Sequence, residues 1–249
     1  CLVHGHHADR SGLGAFDAFL SNEADKIAPL QQQIESELGG YNAYDIIVVD
    51  DGSSDATPAV LEKCRERHPQ LQVLRHAECR GQSAALLSGV RHARREWIAT
   101  LDGDGQNDPA DIPRLRDAIR RASRPVSLVS GDRRQRHDVW LKRVSSRLAN
   151  RVRGAVLGDG TPDTGCGLKL FPRSVFMALP HFDHMHRFLP ALVQMQGGEV
   201  LSVEVRHRAR QHGRSKYGLH NRLWVGLVDL LGVLWLQRRV LPPADKENN

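Results

Sequence analysis

The chain has 249 residues, 40% hydrophobic and 26% charged, an ordinary globular composition with length enough to bury a substantial core. Its four cysteines (Cys1, Cys64, Cys79, Cys166) are scattered without a CxxC pair, which argues against a disulfide framework and for reduced thiols in a cytosolic setting. A formal net charge of +6 and a pI of about 9.5 point to an anionic partner: phosphates, nucleic acid or acidic lipid.

Residues 1–20 read as an irregular segment. Cys1 to Gly14 shows neither helical nor strand periodicity, and Phe16-Asp17-Ala18-Phe19-Leu20 is a poor strand. Ser21 or Asn22 caps a helix whose stripe is Ile27, Leu30, Ile34 and Leu38, with Pro29 in its first turn and Gly39-Gly40 as its stop. Tyr44 to Val49 is a β-branched strand that ends in the acidic turn Asp50-Asp51-Gly52-Ser53-Ser54-Asp55. Thr57 caps a helix opened by Pro58 and running to about Arg67. A strand at Leu71–Leu74, a helix at Gly81–Arg95 and a strand from Trp97 to Leu101 follow. That last strand runs directly into Asp102-Gly103-Asp104-Gly105-Gln106, ahead of a helix at Pro109–Arg121 and a strand at Val126–Ser130.

Strand and helix alternate four times, the signature of a parallel α/β sheet with right-handed crossovers. Such sheets bind ligands beyond the carboxyl ends of their strands. Both acidic clusters fall there.

The later half is less regular. Asp138–Leu157 reads as an Arg-rich helix, Gly158–Gly167 as a glycine-rich loop and Leu168–Phe171 as a short strand. Pro190–Gln196 is helical, Glu199–His207 a strand and Arg208–Tyr217 a basic loop. Leu223–Leu236 is an apolar run interrupted by Asp229 and flanked by Arg222 and Arg238-Arg239; it is shorter than the ~20 residues of a spanning helix. Two readings stand for it: a helix lying at a membrane interface through Trp224 and Trp235, or a core helix with a basic end. The tail, 241–249, is polar and frayed.

Several site types are absent. There is no GxxxxGK[ST] loop, no GxGxxG after the first clear strand, and no HExxH. The stretch from Asp102 begins like a calcium loop but carries Asn107 and Pro113 where glycine and glutamate belong. His181, His184 and His186 lack a fourth ligand at a familiar spacing and read as loop or substrate contacts. Carboxylates at the end of a buried strand must be solvated, hydrogen-bonded or bound to a cation, and Mg²⁺ or Mn²⁺ suits an oxygen-only set that also takes substrate phosphates.

Ile46-Ile47-Val48-Val49-Asp50-Asp51-Gly52-Ser53-Ser54-Asp55 and Thr100-Leu101-Asp102-Gly103-Asp104-Gly105-Gln106 together resemble the GT-A glycosyltransferases of family 2. More narrowly they resemble the polyprenyl-phosphate glycosyltransferases of the dolichol-phosphate mannose synthase group. Arg80-Gly81-Gln82-Ser83-Ala84-Ala85, Gly131-Asp132-Arg133 with Arg136, Asp163-Thr164-Gly165-Cys166-Gly167 and Gly213-Arg214-Ser215-Lys216-Tyr217 match in the same order, and the resemblance runs from about Ser21 to Arg239.

The resemblance implies a mostly parallel, Rossmann-like GT-A sheet flanked by helices. It implies a catalytic domain over 21–217, an amphipathic, membrane-interfacial helix over 218–240, and a cytoplasmic protein held peripherally at the inner face of a membrane. The implied reaction is inverting transfer of a hexosyl group from GDP-mannose or a UDP-sugar to dolichyl or undecaprenyl phosphate, with no nucleic-acid partner. Asp50 and Asp51 would lie by the nucleotide base and ribose, with Asn22, Glu23, Gly81 and Gln82 also at the donor. Asp102 and Asp104, helped by Gln106, would hold Mg²⁺ or Mn²⁺ and the diphosphate. Arg133 and Arg136 would receive the acceptor phosphate, and Arg214, Ser215 and Lys216 would close over the diphosphate.

One departure stands out. The family's first strand ends in a Pro-x-Tyr-Asn-Glu-like turn, and here only Asn22-Glu23 fits it. A misread start would account for this, and an inactive homologue that binds nucleotide sugar or a partner without turnover is the alternative reading.

Overall fold

In a computed structural model, residues 16–20, 24–38, 44–133, 152–208 and 219–239 are described. They form one seven-stranded sheet flanked by helices. The strands are β1 (Phe16–Leu20), β2 (Ile46–Asp51), β3 (Leu71–His76), β4 (Trp97–Asp102), β5 (Val126–Asp132), β6 (Lys169–Pro172) and β7 (Glu199–Glu204). The helices are α1 (Ala24–Leu38), α2 (Thr57–Arg67), α3 (Gln82–His92), α4 (Ile112–Arg121), α5 (helical at 152–157), α6 (Arg173–Ala178), α7 (Leu189–Met195) and α8 (Leu219–Gln237). Short 3₁₀ turns stand at Pro109–Asp111 and Met185–Arg187.

The strand order is β3-β2-β1-β4-β6-β5-β7. Neighbours are parallel except β6, which runs antiparallel to both β4 and β5. The mostly parallel α/β sheet expected from the alternation is therefore present, with one reversed strand inside it.

The irregular segment expected at 1–20 needs correcting at its end. Phe16–Leu20 is a strand in the middle of the sheet, pairing Ala18 with Val48 on one side and Leu101 on the other. Two ready ladders satisfy its backbone on both edges, and that tertiary pairing overrides a weak local pattern. Residues 1–15 lie outside the described residues.

Smaller corrections are local. Pro29 lies inside α1 rather than in its first turn, at an exposed position. Thr57 is the first residue of α2 and not its cap; the Asp55 carboxylate accepts the Thr57 N–H at 3.0 Å. Helix α6 and the turn at Met185–Arg187 have no clear signal in the sequence. Of the Arg-rich helix expected over 138–157, only 152–157 lie among the described residues.

Alternation along β2 shows how the sheet divides the core. Ile46 and Val48 face one cluster with Leu30, Ile34, Leu61 and Leu115 of α1, α2 and α4. Ile47 and Val49 face the other, with Ala85, Val90, Phe176, Leu192 and Val233 of α3, α6, α7 and α8. Successive side chains point to opposite faces, so helices must cover both. Phe176 is buried and stacks on Phe171 at 5.3 Å between centroids. Phe176→Ala is expected to cost about 3–5 kcal/mol, read as a lower urea midpoint at unchanged m-value.

Helix α8 docks through buried Val233, while Trp224 (68% exposed), Val228 (65%), Leu231 (55%) and Trp235 (59%) face outward. Among its described side chains the outer face is apolar, with the basic pair Arg238 and Arg239 following its end.

Candidate active site at the carboxyl ends of the strands

The ends of β2 and β4 bring their carboxylates to one rim, as expected, but not in equivalent roles. Asp50 and Asp51 are fully buried. Asp50 accepts the Ser53 N–H at 3.0 Å and lies 3.4 Å from Arg75 Nε. Asp51 accepts from the Arg80 and Gly81 N–H groups at 2.9 and 2.8 Å and from the Cys79 thiol, and pairs with His76 Nδ1 at 2.7 Å. Burial pushes the Asp51 carboxyl up, but these hydrogen bonds outweigh it and hold it below the usual carboxylate range. Asp50 Oδ2 has no hydrogen-bond partner, whereas both oxygens of Asp51 are engaged. Asp51 holds the loop that delivers Gly81 and Gln82.

Gly81 adopts φ 89° as it hands the chain into α3, a conformation glycine takes without penalty. Gln82, the first residue of α3, donates from Nε2 to Asp102 Oδ1 at 3.0 Å. It therefore braces a carboxylate of the expected metal pair.

Asp102 ends β4, and its backbone N–H is held by Asn107 Oδ1 at 3.2 Å. A Cβ added at Gly167 would land on its carboxyl group. The loop 163–167 therefore forms a cradle that only a glycine leaves open. Thr100 Oγ1 donates to the Gly167 carbonyl at 2.6 Å and fixes the two segments together. Burial, then the neighbouring Asp104 carboxylate, pushes the Asp102 carboxyl up to about 6, against the opposing charges of Lys169 and Arg133. Two carboxylates facing each other at a strand end, one reluctant to ionise, suit a hard divalent cation. Among the described residues no group of three or more His, Cys, Asp or Glu side chains is gathered for a metal, so the remaining positions would fall to ligand oxygens.

The Asp102 shift has a definite sign. A carboxyl raised in the folded state stabilises the fold fully below its ordinary value near 3.8, and that contribution is lost as pH rises to about 6. Metal-free protein is expected to lose thermal stability across this window relative to Asp102→Asn. Mn²⁺ affinity, measured by calorimetry, should fall as pH drops through about 6, because the ion must displace that proton.

Asp104 accepts the Gln106 N–H at 3.1 Å. Gln106 places its side-chain amide against His207 Nε2 at 3.4 Å and gives its carbonyl to the Arg208 N–H. His207 thus joins the rim through a bridge with Asn107, beyond the end of β7, where the sequence pattern reads only as continuing strand.

Arg133 follows β5 and forks onto Asp163, with Nε 2.7 Å and Nη2 3.0 Å from its two oxygens. Burial alone would lower its pKa, but Asp163 more than reverses this, so the guanidinium stays charged. Arg133 is therefore brought to the rim already paired. Lys169 is a residue that sequence reasoning missed. It is buried, donates from Nζ to the carbonyls of Thr164 and Cys166, and has its pKa lowered by that burial despite the charges of Asp102 and Asp163. The signal was a lysine inside an apolar strand leaving a glycine-rich acidic loop. Asn22, Glu23, Arg136, Arg214, Ser215 and Lys216 lie outside the described residues.

The Glycosyl transferase family 2 model matches residues 21–179. The chain belongs to that family. This family 2 glycosyltransferase is 36% identical over 230 residues to a dodecaprenyl-phosphate galacturonate synthase from Rhizobium johnstonii, covering 90% of the chain and 67% of that relative. It is 34% identical over 201 residues to an undecaprenyl-phosphate 4-deoxy-4-formamido-L-arabinose transferase from Edwardsiella ictaluri, covering 80% of the chain and 61% of that relative. Among solved structures, a mannosyltransferase from Pyrobaculum calidifontis in complex with GDP-Man and Mn²⁺ aligns with a TM-score of 0.63 at 23% identity, over 92% of this chain and 65% of that one. Glucosyl-3-phosphoglycerate synthase from Mycobacterium tuberculosis, with Mn²⁺, UDP and glucosyl-3-phosphoglycerate, aligns at 0.67 and 16% identity, over 90% and 78%. These likenesses establish the GT-A fold.

Proposed function

We propose that this family 2 glycosyltransferase moves a hexosyl group, with inversion, from a nucleotide-diphosphate sugar to a polyprenyl phosphate. The observation that carries the reading is the Asp102–Asp104 pair set in the Gly167 cradle at the strand ends. The names of the curated relatives support a polyprenyl-phosphate acceptor, and the Mn²⁺ complexes of the structural neighbours support a divalent ion. Asp102 and Asp104 would hold Mg²⁺ or Mn²⁺, which when bound stabilises charge on the departing diphosphate. Gln82 keeps the Asp102 carboxylate oriented, and Lys169 fixes the loop that seats it. An acceptor phosphate, with its second pKa near ~6, is already nucleophilic at neutral pH, so the protein's task is to overcome repulsion between two anions. Arg133, whose Nε and Nη2 are engaged by Asp163, would meet the acceptor phosphate through its remaining guanidinium N–H groups.

The central strand β1 is in register on both sides, which answers the poor strand pattern but not the departure at the Pro-x-Tyr-Asn-Glu-like turn, since residues 21–23 lie outside the described residues. A screen of GDP- and UDP-sugars with Mg²⁺ or Mn²⁺ and a short polyprenyl phosphate tests the reading. Absence of turnover with every donor, alongside metal-dependent nucleotide binding, would favour the inactive homologue.

Membrane contact belongs to the same proposal. Among the described residues no helix is long and apolar enough to cross a membrane. The outward tryptophans of α8, with Arg239 5.9 Å over the Trp235 ring and Arg238 beside it, suit an anionic interface. Trp224→Asp with Trp235→Asp is expected to weaken sedimentation with anionic vesicles on the order of tenfold or more, with donor binding unchanged.

A further inference from the structure

His186 stands on the 3₁₀ turn Met185–Arg187, which packs on the first turn of α3. Its backbone N–H donates to Ser83 Oγ at 3.4 Å, and the same oxygen lies 2.9 Å from its Nδ1. A hydroxyl has one proton to give. Ser83 Oγ accepts the backbone N–H and can either give its own proton to Nδ1 or, through its second lone pair, accept one from it; the first arrangement puts the proton of the neutral ring on Nε2. The ring keeps part of its surface exposed, and Nε2 is not among the buried atoms without a partner. No hydrogen bond to Nε2 is found among the described residues, so that edge of the imidazole is left for a ligand. Burial, then the charges of Arg187, Lys169 and His184, lowers the ring's pKa to about 3, so this donor is uncharged at neutral pH.

A second observation marks the turn as built for a purpose beyond packing. His184 has φ 63°, the one non-glycine residue in the left-handed region among those described. Such strain persists where surroundings over-determine it, and functional sites are where it collects. The surroundings here are specific. His184 Nδ1 lies 3.0 Å from Asp229 of α8, its N–H donates to Asp183 Oδ1 at 2.8 Å, and His181 Nε2 reaches the Phe176 carbonyl at 3.2 Å. Met185 and Phe188 are buried beneath. These contacts tie the segment to α6 and α8.

Ser83 follows Gln82, whose amide holds Asp102, so the imidazole is fixed one residue along α3 from the brace of the metal pair. Resting on the glycosyltransferase reading above, we propose that Ser83 Oγ gives its proton to Nδ1 and that His186, with its own proton on Nε2, donates it to an oxygen of the transferred sugar and thereby sets which sugars the site accepts. An uncharged donor suits a hydroxyl or carboxylate oxygen on the sugar, while the diphosphate and acceptor phosphate are matters for the metal pair and for Arg133. Selectivity then arises because a donor sugar lacking that oxygen leaves a sheltered N–H unpaired.

The test compares wild type, His186→Phe, His186→Gln and Ser83→Ala, with Mn²⁺, by calorimetry of UDP, GDP, UDP-galacturonate, UDP-glucose and GDP-mannose. For the best-bound sugar nucleotide, His186→Phe should lose at least tenfold in affinity while the matching free nucleotide binds as before. The affinity ratio between UDP-galacturonate and UDP-glucose should collapse toward one. His186→Gln, which keeps an amide donor near the same place, should recover much of the ratio. Ser83→Ala, which leaves the ring but removes its anchor, should blunt the ratio with only a small fall in thermal midpoint, and it carries the test if His186→Phe does not fold. Equal losses for free nucleotide and sugar nucleotide, or an unchanged ratio in every variant, would overturn the proposal. Wild type that binds free nucleotide but none of the sugar nucleotides would overturn the glycosyltransferase reading first, and this inference with it.

Discussion

Asp104→Ala is expected to lower kcat/KM for sugar transfer by about 10²–10³-fold, the scale seen when one preorganised group facing developing charge is removed. The fold should tolerate the change. The Asp104 carboxylate is partly exposed, and the hydrogen bond it accepts from the Gln106 N–H, two residues on, is local to the turn. Thermal melting should therefore move little while turnover falls. The same substitution also relieves Asp102 of its nearest like charge, so the Asp102 carboxyl should return toward the ordinary range. Mn²⁺ titration separates these effects: affinity should drop, and its dependence on pH across the window around 6 should flatten. Activity retained with Asp104→Ala would remove the metal pair from the proposed mechanism.

Gly167→Ala tests the cradle rather than a charge. A methyl group there would occupy the space of the Asp102 carboxyl, which is held by Gln82 on its other side. Gly167 is not in the left-handed region, so the penalty is steric and not a matter of backbone strain. Displacing a sheltered carboxylate should cost about 1–3 kcal/mol of stability and take metal-dependent turnover with it. Gly165→Ala is the matched control, since a Cβ there would meet Arg133 Nη2 at 3.4 Å and Asp163 Oδ1 at 3.7 Å, contacts that small shifts absorb. A double variant, Gly167→Ala with Asp102→Gly, should recover the stability but not the activity. That non-additivity is the signature of direct contact. Full activity in Gly167→Ala would mean that Asp102 has room the structure does not show.

What could be read from the chain alone divides along physical lines. Ile46–Val49 and Trp97–Leu101 announce buried strands by composition, and the carboxylates that follow are adjacent in sequence, so the acidic rim was legible. Phe16–Leu20 was not. An aspartate breaks its pattern, and what makes it a strand is the pair of neighbours at β2 and β4. The roles of Asp51, Gly167 and Lys169 were also hidden, because each depends on a contact with a distant segment. Asp51 read as a ligand contact because it sits beside Asp50 in an acidic turn, yet its partners are residues 76–81, which fold back over it. Lys169 sits among apolar neighbours with nothing local to show that its ammonium finds two carbonyls.

The reversed strand β6 gives the site a birth order. Thr100 and Gly167 are joined across 67 residues of chain, and β6, which follows Gly167, pairs with β4 and β5, both earlier in the sequence. During synthesis the two aspartates leave the ribosome well before the glycine, lysine and paired arginine that shelter and offset them. A nascent chain arrested before residue 167 would display the acidic motif without the pocket, and metal competence would be acquired late rather than nucleated early.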